Sequence, residues 1–293
     1  MFRRSFWSIE CIDLKSRQNP ASTSQIFATI LQVQQHPGHR QSKRMSTKPD
    51  QEIPRKVAAS QGLQWVVDGF RLYRKNPLLL SAAFGLLFGV VMALNLIPVA
   101  GEALSELASP LMVAGFMAAF RALDRDEELE LPHFLAGVKG PLISFVTVGA
   151  VQLMGMLLIS QVMLHMGFDA QAVMEAAQKG DPVVLQNAMN QSMPAVMIGL
   201  LLFTPLAMAT WFAPALILFG NARPMQALII SLRAMAKNWL AITVNGLALG
   251  LVLFVSALIP FLLGLLVAMP VLFGSLYASY QAIFAVWHDE TAA

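Results

Sequence analysis

Uncharged polar side chains are the groups inside the long apolar runs of this chain that could take part in chemistry. Gln152 and Gln161 fall in one run, and Thr204 precedes Pro205 in the next. Proline-broken helices that face polar side chains can form the substrate site of a transporter. Such side chains also form hydrogen bonds between packed membrane helices. Gln152, Gln161 and Thr204 are therefore a candidate polar pocket, with helix packing as the alternative.

Motifs of known catalytic and metal sites are absent from the sequence. His133, His165 and His288 are widely separated, and no HExxH, GxSxG, Walker A or GxGxxG pattern occurs. The acidic run from Asp124 to Glu130 lacks the glycine and the spacing of an EF-hand calcium loop. We expect no catalytic residue, no metal site and no cofactor, and a protein that is not an enzyme.

The composition indicates a membrane protein. Hydrophobic residues make up 56% of the chain and charged residues 13%, whereas soluble proteins carry about 25% charged residues. The run from Leu240 to Val286 has no charged residue and is too long to cross a hydrocarbon core of about 30 Å only once. It must fold back, and Ile259-Pro260 near its middle is the predicted turn.

The same reasoning over the whole chain predicts an all-α, polytopic membrane protein with six transmembrane helices. Glu106 lies at the start of the second span, and no charged residue lies at the centre of any span. Because intramembrane charges usually mark proton relays and ion paths, this pattern argues against a proton-driven pump. The predicted spans are 78–99, 107–123, 142–165, 193–219, 240–258 and 261–287.

A short pattern occurs three times, each time at the start of a long apolar run. An apolar residue is followed after four positions by a lysine, then by a break, and then by the span; the lysines are Lys75, Lys139 and Lys237. In the first and third copies the lysine precedes an Ile-Pro turn by 22 residues. These correspondences predict an internal repeat of three parallel helical hairpins.

Each lysine ends a segment that could form an amphipathic helix, at 61–75, 131–139 and 225–237. Such a helix can lie in the headgroup layer with its lysine reaching outward. Lys75, Lys139 and Lys237 are therefore predicted membrane-interface anchors on the cytoplasmic side. Contact with anionic lipid is the functional interpretation, and plain anchoring to the bilayer is the alternative.

Glycines four residues apart occur in both matching first helices, as Gly85/Gly89 and Gly246/Gly250. The following helices carry small pairs at the same spacing, Gly115/Ala119 and Gly274/Ala278. Because glycine lets helix backbones approach closely, we expect Gly85, Gly89, Gly246 and Gly250 at helix contacts. Packing within one chain is the favoured interpretation, and homodimerisation is the alternative.

The charges predict the orientation in the membrane. Nine Lys and Arg residues flank the spans on one side, and only Lys179 lies on the other. The positive-inside rule therefore places both termini in the cytoplasm. On the opposite side, Asp169 and Asp181-Pro182 are predicted to begin two short helices that could form a lid or a partner surface.

The domain division follows the charge distribution. We expect residues 1–60 to be a disordered extension, residues 61–288 the six-helix membrane domain, and residues 289–293 a short tail. Residues 1–44 carry seven Lys and Arg against two Asp and Glu, so the basic balance of the chain is no evidence for nucleic-acid binding. Either Met45 is the true start, or this Arg- and Ser-rich segment directs the protein to the mitochondrial inner membrane.

The opening pattern Lys75-Asn76-Pro77-Leu78, in a chain of about six helices, resembles that of uncharacterised families of bacterial six-helix inner-membrane proteins. These are distantly similar to the membrane domain attached to some glycerophosphodiester phosphodiesterases. The resemblance covers roughly residues 60–288 and implies location and topology rather than a reaction. We expect a non-enzymatic role in the envelope or in membrane organisation. A transporter or lipid-translocating protein is the alternative, and a protein partner is not predicted.

Overall fold

The computed structural model describes residues 54–98, 100–260 and 263–284. The predictions for the N-terminal extension before Pro54, for the end of the sixth span at 285–287, for His288 and for the tail at 289–293 lie outside these residues. Within the described ranges the regular structure is helical. The helices are α1 (Gln61–Tyr73), α2 (Pro77–Asn95), α3 (Ala100–Asp124), α4 (Leu131–Phe134), α5 (Ala136–Lys139), α6 (Leu142–His165), α7 (Ala170–Lys179), α8 (Pro182–Trp211), α9 (Ala213–Gly220), α10 (Pro224–Lys237), α11 (Trp239–Ala257) and α12 (Leu265–Ile283).

Six of these elements are long and apolar enough to cross a membrane, which confirms the predicted number. They are α2, α3, α6, α11, α12 and the continuous stretch Pro182–Gly220 formed by α8 and α9. The predicted turn at Ile259-Pro260 is also confirmed, since α11 ends at Ala257 and α12 begins at Leu265. The all-helical multi-pass fold therefore follows from composition and hydropathy.

Two spans begin earlier than predicted. The second starts at Ala100, which places Glu106 inside the helix rather than before it. The fourth starts at Pro182, because the Asp181 carboxylate caps the helix by accepting a hydrogen bond from Val183 N at 2.8 Å. Asp181 does begin a helix as predicted, but that helix continues into the fourth span. Asp169 caps the separate short helix α7 by accepting from Ala172 N at 2.9 Å.

A hydroxyl group supports the break between α8 and α9. Ser231 of α10 is fully buried, and its Oγ accepts from Phe212 N at 3.0 Å and donates to Met208 O at 2.7 Å. In an uninterrupted helix these two backbone groups would bond each other. Ser231 therefore satisfies both groups at the break, where Phe212 separates α8 from α9 and Pro214 follows in the first turn of α9.

The hydrophobic core lies at one end of the bundle, which we call the packed end. Its buried residues come from the first turns of α2 and α6, from the second half of α3, from α9, and from α12 along most of its length. Phe116 of α3 and Phe273 of α12 stack there with ring centroids 4.4 Å apart. Away from this end the spans are largely not covered by other helices. In four of the six, only 17% of the most apolar stretch of the helix is buried inside the protein.

The predicted amphipathic segments pack against the spans. At the α1–α12 crossing, Gly69 lies against Gly274, and where α4 meets α3, Phe134 lies against Gly115. α10 contacts α8 through Ser231. These segments are part of the packed end, and their placement in the headgroup layer stays a prediction.

The predicted glycine contacts within the chain are wrong at three of the four positions, and the alternative of homodimerisation stays a prediction. A β-carbon on Gly89, Gly246 or Gly250 would meet nothing within 4 Å, and one on Gly85 would meet only Leu266 Cδ2 at 3.5 Å. The buried face of α11 instead carries Ala241, Asn245 and Leu249. Gly246 and Gly250 are one residue further along, about 100° around the helix, so they point away from the other helices of the chain. The small residues Gly115 and Gly274 do lie at backbone crossings.

Candidate functional site

The predicted pocket of Gln152, Gln161 and Thr204 is not formed. Gln161 and Thr204 are exposed, and the Thr204 hydroxyl donates to Leu200 O of its own helix at 2.8 Å. Gln152 is partly buried and donates from Nε2 to Glu106 Oε2 of α3 at 2.8 Å. The structure therefore corrects the pocket prediction, since Gln152 faces α3 rather than the fourth span.

The Glu106–Gln152 contact places a carboxylate between two transmembrane helices. Gly149 makes this possible, because a β-carbon there would lie 2.8 Å from Leu107 Cα. A further polar contact joins the same half of α3 to α2, where Asn95 Nδ2 donates to Ser105 Oγ at 2.9 Å. Glu106 is the seventh residue of α3, so it lies inside the helix but towards its start, and the prediction that no charged residue lies at the centre of a span is not contradicted there.

Lys75 is held by protein groups at the packed end. Its ammonium group donates to Leu123 O at 2.6 Å and pairs with Asp126 Oδ1 at 2.6 Å. Leu123 lies in the last turn of α3, where backbone carbonyls lack helical partners. Lys75 therefore caps α3, which is a structural role in addition to any contact with the membrane.

Lys237 and Asn238 clamp the segment that precedes α1. Lys237 Nζ donates to Pro54 O at 2.7 Å. The Asn238 side chain accepts from Val57 N at 2.9 Å and donates to Arg55 O at 2.9 Å. The Arg55 N–H also donates to Ile283 O at the end of α12, at 2.9 Å. The lysine and asparagine of the third copy thus fix the chain entering α1.

Lys139 differs from the other two lysines. It is exposed, and it is followed by Gly140 instead of the asparagine present in the other copies. Its role as a membrane-interface anchor stays a prediction.

A polar cleft of about 380 Å³ opens at the packed end between α1, α12 and the end of α3. Trp65 and Leu72 of α1 are buried beneath it. Its lining residues are Gln61, Gln64, Trp65, Asp68, Arg71, Leu72, Asp124, Tyr277, Ala278, Gln281 and Ala282. Sequence reasoning missed this site because its polar groups come from three distant segments and match no local motif.

A buried tyrosine fixes one carboxylate of the cleft. The Tyr277 side chain is 1% exposed, and its hydroxyl donates to Asp124 Oδ2 at 2.9 Å. The Gln281 amide donates to the same hydroxyl. This chain of hydrogen bonds runs from α12 to the last residue of α3 and holds Asp124 at the cleft.

A second carboxylate comes from α1. Asp68 pairs with Arg71 at 3.2 Å, where the Asp68 side chain is 24% exposed and the Arg71 side chain 71%. Gln64 Nε2 also donates to Asp68 Oδ1 at 3.3 Å. The charged residues lining the cleft are thus Asp68, Asp124 and Arg71, and carboxylates outnumber cations.

A candidate metal site is absent from the described part of the chain. No three His, Cys, Asp or Glu side chains lie close enough there to hold an ion. The groups that the cleft offers to a ligand are the carboxylates of Asp68 and Asp124 and the side-chain amides of its glutamines.

Comparison with known proteins shows that this chain is similar to a bacterial membrane protein. The chain is 30% identical over 253 residues to a probable inner membrane protein of Burkholderia thailandensis, covering 78% of this chain and 93% of the relative. No family model matches the chain. No solved structure matches it. The resemblance to the membrane domain of glycerophosphodiester phosphodiesterases stays a prediction. With six apolar helices and this relative, the chain belongs to the family of that probable inner membrane protein and is a multi-pass protein of the bacterial inner membrane.

Proposed function

We propose that this protein has a non-enzymatic role in organising the inner membrane through extensive contact with lipid. The observation that carries the proposal is the uneven burial of its spans. Only 17% of the most apolar stretch is buried inside the protein in each of four spans, which are α2, α6, α11 and Pro182–Gly220. The remaining apolar surface can be covered favourably by lipid chains.

The polarity of the exposed faces supports the same proposal. Large apolar side chains such as Leu86, Leu201 and Leu251 are between 64% and 71% exposed. In a soluble protein, apolar patches of this extent mark interaction surfaces, and in a bilayer the neighbouring molecules are lipids. A protein with a firm core at one end and open apolar helices beyond it would order the surrounding acyl chains.

A lipid-translocating protein is the second candidate, and Glu106 is the observation that favours it. Intramembrane carboxylates commonly line paths for polar groups. Glu106 and Gln152, together with Asn95 and Ser105, place polar contacts between α2, α3 and α6. A translocated headgroup could use these groups in place of water.

Reconstitution separates the two candidates. The full-length protein would be placed in vesicles of phosphatidylethanolamine and phosphatidylglycerol at increasing density. Spin-labelled lipids would report acyl-chain order, and dithionite quenching of a fluorescent headgroup would report translocation. The organising role predicts a density-dependent fraction of motionally restricted lipid without translocation. Translocation that is lost in Glu106→Gln, but kept in the control Glu102→Gln, would support the second candidate and contradict the first.

A further inference from the structure

The position of Asp124 is electrostatically unfavourable and is nevertheless fixed. Asp124 is the last residue of α3, where the negative end of the helix dipole disfavours a carboxylate. The buried Tyr277 hydroxyl still donates to it at 2.9 Å. A phenylalanine would fill the core equally well, so the hydroxyl serves mainly to hold this carboxylate at the cleft.

Asp124 has no cationic partner among the described residues. The ion pairs formed there are Arg71–Asp68 and Lys75–Asp126. The nearby Arg121 is not directed at Asp124, since its guanidinium lies 4.6 Å from the centre of the Phe219 ring. A carboxylate that is held by one hydrogen bond keeps further acceptor positions for a positively charged ligand.

The rest of the cleft fits the same kind of ligand. Asp68 supplies a second carboxylate, and the amides of Gln61, Gln64 and Gln281 supply oxygen acceptors. Trp65 is 2% exposed and forms the apolar floor of the cleft, so it supports the shape of the site rather than contacting a cation. A primary ammonium group has three N–H donors and one positive charge, so it matches both the acceptors and the excess of carboxylates.

We propose that the cleft between α1, α3 and α12 binds the primary ammonium group of a small ligand, with Asp124 as the main charged acceptor. Two sources carry this group: the ethanolamine headgroup of a phospholipid, and a soluble amine such as ethanolamine. This inference is independent of the proposed role in membrane organisation, because it concerns the packed end and not the open spans.

Binding would be measured on the full-length protein in a maltoside detergent. Native mass spectrometry would compare phosphatidylethanolamine, phosphatidylcholine and phosphatidylglycerol of identical acyl chains. Calorimetry would test free ethanolamine. The variants are Asp124→Asn, which keeps an acceptor for Tyr277, and Tyr277→Phe, which releases Asp124 while keeping the ring. Glu128→Gln is the matched control, because Glu128 is exposed and does not line the cleft. Thermal unfolding followed by circular dichroism would establish that each variant is folded.

We expect phosphatidylethanolamine to bind more tightly than the other two lipids, and Asp124→Asn to weaken it about tenfold through loss of a charge-assisted contact. Tyr277→Phe should weaken it as well, and Glu128→Gln should not. Binding of free ethanolamine with the same sensitivity to Asp124→Asn would support the site and identify a soluble ligand. Equal binding of all three lipids without binding of free ethanolamine would overturn the proposal. Equal effects of Asp124→Asn and Glu128→Gln, or no binding of either amine, would also overturn it.

Discussion

Gly69 and Gly274 lie against each other where α1 crosses α12, and a β-carbon on Gly274 would come within 2.8 Å of the Gly69 carbonyl oxygen. The opposing atoms belong to the backbone, which cannot rotate away as a side chain can. We predict that Gly274→Ala destabilises the protein by about 1–3 kcal/mol through overpacking. The measurement is the free energy of unfolding in mixed micelles with increasing SDS.

Gly246→Ala is the control for this prediction, because a β-carbon there would meet nothing within 4 Å. Alanine is the better helix former by about 1 kcal/mol, so this variant should be neutral or slightly stabilising. Equal losses for Gly246→Ala and Gly274→Ala would show that the α1–α12 crossing is not the close contact described above.

The hydroxyl of Ser231 supports the break in the fourth span, so removing it should leave backbone groups without partners. We predict that Ser231→Ala costs about 1–3 kcal/mol of stability, because it leaves the buried Phe212 N and the partly buried Met208 O without their partner. Ser160→Ala is the control, since Ser160 is exposed and its hydroxyl donates to Leu157 O of its own helix at 2.8 Å. A thermal midpoint in detergent that falls equally in both variants would contradict this role of Ser231.

The number of spans could be predicted from sequence because hydropathy depends on composition over whole helices. The rotation of each helix about its axis could not. Asn245 and Gly246 are neighbours, yet Asn245 is buried, with Ser275 Oγ donating to its Oδ1 at 2.7 Å, while Gly246 faces away. A pattern of small residues indicates that close approach is sterically allowed, but tertiary packing decides which face is used.

Helical geometry explains why the predicted pocket of Gln152, Gln161 and Thr204 is not formed. Gln152 and Gln161 are separated by about two and a half turns of α6 at 3.6 residues per turn, so they lie on opposite faces. Only Gln152 meets α3. The cleft at the packed end could not be predicted from the sequence for another reason. Its residues Asp68, Asp124 and Tyr277 come together only when three helices that are distant in sequence pack.

Lys75 should contribute more to stability than Lys139, although both occupy the same position in the repeated pattern. Lys75 caps α3 through Leu123 O and pairs with Asp126, whereas Lys139 is exposed. We predict that Lys75→Met lowers stability by about 1 kcal/mol, as loss of a helix C-terminal cation and one hydrogen bond would. Lys139→Met should change stability little. Unfolding in SDS-containing micelles compares the two variants, and an equal or larger loss in Lys139→Met would contradict the assignment.

The charges predict the orientation of the protein in the membrane, and this prediction can be tested directly. Lys and Arg flank the spans on the side that includes Arg125 and Arg223, and Lys179 lies alone on the other side. The positive-inside rule then predicts that fusions after Arg125 and Arg223 report the cytoplasm, while a fusion at Gly180 reports the periplasm. Paired reporters that are active only in one compartment, such as alkaline phosphatase and green fluorescent protein, give opposite signals at each site. Adding lysines near Gly180 provides the control, because a charge-determined topology should become mixed as the bias is removed. A cytoplasmic signal at Gly180 in the unmodified chain would contradict the prediction that α6 crosses the membrane outward and α8 crosses it back. It would therefore contradict the six-span topology.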